Sequence, residues 1–132
     1  MIRQYRLTNR IARRGVHAAC EIQFLHSDLQ RLLPVYIDHQ LRILEWGNRD
    51  GPLPKPGWCH IEWLEQWQGL RPQKAMIVAA MALDLGVWYQ VKQGIECVVI
   101  HNHAYMLTES ASHYYRIMTR SNRMPVLIGQ RI

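Results

Sequence analysis

Leu32-Leu33-Pro34-Val35-Tyr36-Ile37-Asp38-His39-Gln40-Leu41-Arg42-Ile43-Leu44-Glu45-Trp46 is the stretch on which the fold turns. Leu32 to Ile37 and Gln40 to Trp46 read as two strands joined near Asp38-His39, a hairpin typical of antiparallel sheets. Just downstream, Gly47, Gly51, Pro52, Pro54, Pro56 and Gly57 crowd one segment and mark it as a loop. Trp58 to Gln68 carries Ile61, Leu64 and Trp67 at helical spacing and stops at Gly69, which predicts a short amphipathic helix. Upstream, Ala18, Ala19 and Cys20 favour helix within Asn9 to Phe24, and an imperfect alternation over Ile2 to Leu7 suggests a first strand.

The C-terminal half continues the β reading. Lys74 to Ala82 is a buried-strand candidate, and Gly86 to Val91 and Ile95 to Ile100 are strands separated by Lys92-Gln93-Gly94. His101-Asn102-His103 is a turn, after which Tyr105 to Thr108 returns as a strand. Ser110 is placed to cap a helix reaching about Thr119, with Tyr114, Ile117 and Met118 on its apolar side. Arg123 to Ile128 is the last strand, and Pro125 puts it at an edge or a sheet entry. Many short strands with two or three short helices predict an α+β fold, a mostly antiparallel twisted sheet or open barrel.

With 132 residues the chain is expected to form one domain, residues 1–132. The net charge of +6 favours an anionic partner, and arginine outnumbers lysine, which suits bidentate phosphate contacts. The excess sits at Arg3, Arg6, Arg10, Arg13 and Arg14, and again at Arg116, Arg120, Arg123 and Arg131. An ordinary solvated basic surface gives the same pattern. Cys20, Cys59 and Cys97 are an odd set without paired spacing, against a disulfide framework. The N-terminus lacks a signal-peptide pattern, and Met76 to Leu83, the longest apolar run, is far short of a membrane span. A cytoplasmic protein with no membrane partner is expected.

Sites for chemistry are sparse. Cys59-His60 and His101-x-His103 offer four ligand types, but neighbouring residues of an extended chain face opposite ways and no zinc-finger spacing occurs. No metal site and no cofactor are predicted. His113, Ser110, Ser112 and Ser121 cluster without a nucleophile elbow, and Lys55 is followed by Pro56 where a phosphate loop needs Ser or Thr. Trp46, Trp58, Trp63 and Trp67 flank the Gly/Pro loop with Arg42, Arg49 and Arg71 nearby, a composition suited to stacking unpaired bases and tracking phosphates. A tryptophan-rich core beneath a long loop would look the same.

Arg123-Met124-Pro125-Val126, Thr108-Glu109-Ser110 and Glu45-Trp46-Gly47 together carry a family likeness. The chain resembles the SOS response-associated peptidase (SRAP) family, whose members sense abasic sites in single-stranded DNA. The three segments look like that family's Arg-Met-Pro-Val, Thr-Thr-Glu-Ala and Arg-Trp-Gly stretches. Met1 to Thr8 is similar to its N-terminus, and the last segment is the most specific. The chain is shorter than usual members, which would suit a compact genome such as that of a phage.

The resemblance implies a chemistry that the residues here do not match. The family forms a thiazolidine with the ring-opened sugar through a cysteine at position 2, freed by removal of Met1. Ile2 stands here, without a thiol and with a β-branched side chain that opposes Met1 removal. The family's glutamate falls near Asp84, one methylene shorter, and its histidine falls at Ser121, which cannot replace imidazole as an acid. His113 is a possible substitute, and Asn48-Arg49 is a loose counterpart of the family's Asn-Ala-Arg motif.

The expectation is therefore a catalytically degenerate SRAP-like protein that binds single-stranded or damaged DNA through Trp46, Asn48, Arg49, Arg120 and Arg123. On that reading Trp46→Ala or Arg123→Ala weakens binding and leaves the fold intact. The alternatives are a non-enzymatic protein- or RNA-interaction module, and an unrelated enzyme around Asp84, His101, His103 and His113.

Overall fold

The computed structural model describes residues 5–12 and 19–132, with side chains from Phe24 onward. The chain opens with an antiparallel pair, β1 (Tyr5–Ala12) and β2 (Ala19–Leu25), in register from Arg6↔Leu25 to Ala12↔Ala19. In the described parts of Asn9 to Phe24, strands stand where a helix was expected. Helix propensity is a weak preference, and a ladder that pairs both segments overrides it. The strand expected over Ile2 to Leu7 survives as the start of β1, and residues 2–4 lie outside the described part.

The central hairpin has the expected bounds, β3 (Leu32–Ile37) and β4 (Gln40–Trp46). Asp38 and His39 both take positive φ, 51° and 62°, the two-residue turn whose twist matches that of the flanking strands. Leu33, Val35, Ile37, Leu44 and Trp46 point into the core. After the loop, Trp58 to Gln68 is not a helix. β5 (Trp58–His60) instead pairs in parallel with β10 (His103–Ser110) and buries Cys59, leaving only 3-10 turns at Ile61–Trp63 and Gln68–Leu70.

The single strand expected from Lys74 to Ala82 divides into β6 (Gln73–Ile77) and β7 (Met81–Asp84). The break is where the chain leaves one sheet for another. β8 (Val87–Gln90) and β9 (Ile95–Ile100) fall where expected, and a second turn with both φ positive, at His101 and Asn102, leads into β10. The helix α1 (His113–Thr119) is capped by Ser112 rather than Ser110, with Ser112 Oγ accepting from Tyr115 N at 3.1 Å. Its buried residues are Tyr115 and Thr119, one turn apart, while Tyr114 and Ile117 are exposed. Of the expected apolar side only Met118 packs against the core; the helix instead turns Tyr115 inward, toward Asp84, before β11 (Arg123–Pro125). β11 is shorter than the expected Arg123 to Ile128, and Leu127 adds one isolated bridge to Ile95.

The strands form two sheets. The smaller has the order β2-β1-β7-β8. The larger runs β11-β10-β4-β3-β6-β9, and β9 pairs with β10 as well, so β10-β4-β3-β6-β9 closes into a five-stranded barrel. Most pairings are antiparallel, but β10 meets both β4 and β5 in parallel. The α+β expectation holds at that level, with the barrel closed rather than open and one α-helix among the described residues. Among the described residues no helix is long and apolar enough to cross a membrane.

Candidate functional site

The best-formed polar cleft lies between the turn after β2 and the start of the Gly/Pro loop. Trp46 ends β4 inside the core, and its indole N–H donates to Gly57 O at 2.7 Å. Gly57 permits this approach, since a Cβ there would lie 2.3 Å from Trp46 Nε1. His26 is edge-on to Trp46 and tilted against Trp58, each at 5.1 Å between ring centres. Burial, reinforced by Arg31 and Arg49, pushes the His26 pKa from 6.5 down to about 4, so the ring is neutral. Its Nε2 therefore accepts from Arg31 Nη1 at 3.0 Å and fixes that guanidinium.

Arg49 closes the cleft from the other side. Its Nη2 donates to Asp28 O at 2.8 Å and its Nη1 to Leu29 O at 3.4 Å, tying the loop to the turn. Arg31, Arg49, Glu45, Asp50, Leu29 and Leu32 line a cavity of about 220 Å³. Among the described residues neither arginine has a carboxylate within ion-pair distance, and Arg31 Nε is buried without an acceptor. Glu45 and Asp50 share the lining with the two guanidiniums, so the cleft carries both signs of charge.

Behind the cleft, His103 Nδ1 donates to Gly47 O at 2.9 Å, which leaves Nε2 to accept from Asn48 Nδ2 at 3.2 Å. Glu45 Oε2 lies 3.4 Å from the same Nδ1. Asn48 is 6% exposed and its Oδ1 is buried without a donor.

The residues expected to bind DNA do not come together. Trp46, Asn48 and Arg49 sit where β4 meets His103-Ala104 at the start of β10, whereas Ser110 at its other end pairs with Arg123. Eight residues of strand separate the two groups by roughly 23 Å. Trp46 is 0% exposed, so it has no free face for stacking a base and belongs to the core. Arg123 is also engaged. Its Nη1 and Nη2 grip Glu62 at 3.2 and 2.9 Å, and Nη2 also donates to Thr108 O at 2.8 Å. That grip holds the Glu62 carboxyl below the usual carboxylate range. Burial and then Glu96 raise the pKa of the Glu109 carboxyl beside it. Arg120 is an exposed residue with φ 59° that ends α1.

The expected catalytic positions gather loosely around α1. Asp84 is fully buried, and its Oδ2 accepts from Tyr115 O–H at 2.6 Å, with Tyr89 O 3.1 Å beyond. Burial, then Tyr89 and Asp84, raise the Tyr115 phenol far above its usual range and keep it a neutral donor. Ser121 is buried after the helix, its O–H donating to Arg123 O at 2.9 Å. His113, the suggested stand-in, is exposed at the first position of α1, and the helix residue that meets Asp84 is Tyr115. Position 2 and the side chain of Cys20 lie outside the described residues. Cys59 and Cys97 are buried, and burial raises both thiols, the former to about 11, so neither is poised as a nucleophile.

Among the described residues no group of three or more His, Cys, Asp or Glu side chains is arranged to hold a metal ion. Sequence reasoning missed His26 and Arg31. They flank a turn whose partners, Trp46 and Arg49, come from the end of the next hairpin and the loop after it, so no local spacing announces them. No protein-family model matches the chain, and neither a characterised protein nor a solved structure does.

Proposed function

We propose that this chain is a catalytically degenerate SRAP-like protein that binds single-stranded or damaged DNA without the covalent abasic-site chemistry. The cleft around Arg31 and Arg49 carries the reading: among the described residues neither guanidinium has a carboxylate within ion-pair distance, on a chain of net charge +6. Unlike Arg123, these two retain donor capacity toward a ligand. Ile2 supports the loss of the covalent step, because a thiazolidine needs a thiol beside the terminal amine.

Titration of a labelled single strand over a range of salt concentrations tests the proposal. Affinity is expected to fall with salt, and Arg31→Ala or Arg49→Ala is expected to flatten the log–log slope by about 0.7 each. No binding at low salt would overturn the reading. A strand carrying an abasic site is expected to leave no band that survives denaturation, and such a band would refute the degenerate assignment.

A protein partner is the second reading. Tyr36, Leu41 and Ile43 are 43, 61 and 54% exposed on the outer face of the β3–β4 hairpin. Such a face is more apolar than a solvated strand surface requires. Absence of nucleic-acid binding would favour this alternative.

A further inference from the structure

We infer that the open edge of β4 is a docking site for an extended acidic peptide of another protein, added as an antiparallel strand. The inference goes beyond the nucleic-acid reading and gives the alternative, a protein partner, a site and a chemistry.

The hairpin register shows which backbone groups β4 leaves over. Its two-residue turn makes Ile37–Gln40 a hydrogen-bonded pair, so bonded pairs recur at Val35–Arg42 and Leu33–Leu44. Pro34, which has no N–H, sits opposite Ile43 in a non-bonded pair, and its carbonyl accepts from Val78 N at 3.0 Å on the side away from β4. Leu41 and Ile43 therefore turn both N–H and C=O away from β3. On that edge β10 meets β4 only at Glu45 and Trp46. Among the described residues nothing pairs with the backbone of Leu41 or Ile43 there. The same two residues expose their side chains, 61 and 54%, and Tyr36 opposite Leu41 extends the apolar face. Unclaimed backbone groups beside exposed apolar side chains suit the addition of a strand.

Charge selects the occupant. Arg42 lies between Leu41 and Ile43 and projects to the opposite face, while Glu45, the other charged residue of β4, shares the face of Leu41 and Ile43. Arg42 is exposed and donates to Asn102 Oδ1 at 3.2 Å. Among the described residues it has no carboxylate within ion-pair distance. In an antiparallel pairing it meets its opposite residue in a non-hydrogen-bonded pair, where side chains approach most closely. A carboxylate is favourable there and a second guanidinium is not. That argues against a second copy of this chain, because two β4 edges joined through Leu41 and Ile43 would oppose Arg42 to Arg42. Sliding the register one way brings in Glu45, which already lies beside His103 of β10. Sliding it the other way brings in His39, whose φ of 62° is not extended. The occupant is a segment with apolar residues on both sides of a carboxylate, and it suits a chain of net charge +6.

The test titrates a capped Ser-Thr-Val-Glu-Val-Thr-Ser peptide, to millimolar concentration, into the isotope-labelled full chain and follows the amide spectrum. Saturating shifts centred on Leu41 and Ile43 are expected. A peptide with lysine in place of glutamate is expected to bind about fivefold more weakly, and Arg42→Glu is expected to reverse that order. Methylating the nitrogens of the two valines, which face β4, is expected to abolish binding, whereas methylating that of the glutamate, which faces away, is expected to leave it. No saturable shift would overturn the inference, as would binding indifferent to which nitrogens are methylated or a charge preference that persists in Arg42→Glu. Self-association of the free chain that Ile43→Lys abolishes would assign the edge to a second copy, and a DNA strand that shifts the same amides would assign it to nucleic acid; either overturns the peptide. The methylation comparison uses the unsubstituted protein and decides even if Arg42→Glu does not fold. Failure at this edge leaves the salt-dependent titration of single-stranded DNA to stand or fall on its own.

Discussion

Trp46 and Trp63 carry the same side chain and have opposite roles, which shows how little a residue type says before its neighbours are known. Trp46 is sealed in the core with its N–H on Gly57, whereas Trp63 is 40% exposed and stacks on His60 at 4.0 Å. His26 is the residue whose setting has the clearest consequence. Its folded pKa of about 4 lies below the ordinary 6.5, so the unfolded chain takes up this proton first as pH falls. The stabilisation is complete above pH 6.5 and is lost on the way down to about pH 4. It amounts to on the order of 2–3 kcal/mol. Denaturant titrations across that window are expected to show the decline, and His26→Gln, which keeps an acceptor for Arg31, is expected to flatten it. An unchanged pH slope in the variant would assign the effect to other groups.

Among the elements, the turns explain why some boundaries were legible and others were not. The β3–β4 hairpin was read with its bounds intact because two strand-forming runs flank a short polar break. Leu85-Gly86, like Asp38-His39 and His101-Asn102, has positive φ at both residues between paired strands. His39 holds φ 62° on the surface without the freedom of glycine. A non-glycine residue in that region costs about 1–2 kcal/mol, against about 0.5–1 kcal/mol for glycine's extra chain entropy. His39→Gly is therefore expected to stabilise the protein by about 0.5 kcal/mol, visible as a raised thermal midpoint. A lowered midpoint would mean that the imidazole contributes a contact worth more than the strain. Trp58 to Gln68 was misread for the opposite reason. Its apolar spacing suits a helix, but the backbone of β5 is claimed by β10, a strand more than forty residues away.

For the whole molecule, closure of the barrel and attachment of the smaller sheet depend on long-range contacts. α1 bridges them through Tyr115, whose O–H reaches Asp84 on β7 and Tyr89 on β8. Tyr115→Phe removes a donor from a buried carboxyl, a loss of about 1–3 kcal/mol. Hydrogen exchange is expected to show the amides of β7 and β8 losing protection before those of β3 and β4. Uniform loss across both sheets would mean that α1 does not couple them. The sequence by itself determined the short-strand α+β character, the central hairpin, the loop that follows it and the absence of a thiol at Ile2, because these depend on local pattern and residue identity. Only the tertiary structure decided that Arg123 is spent on Glu62, that Trp46 is core, and that Arg31 and Glu45 share a cleft. Those outcomes depend on which distant segments compete for a guanidinium, an indole face or a strand edge, and no local spacing encodes that competition.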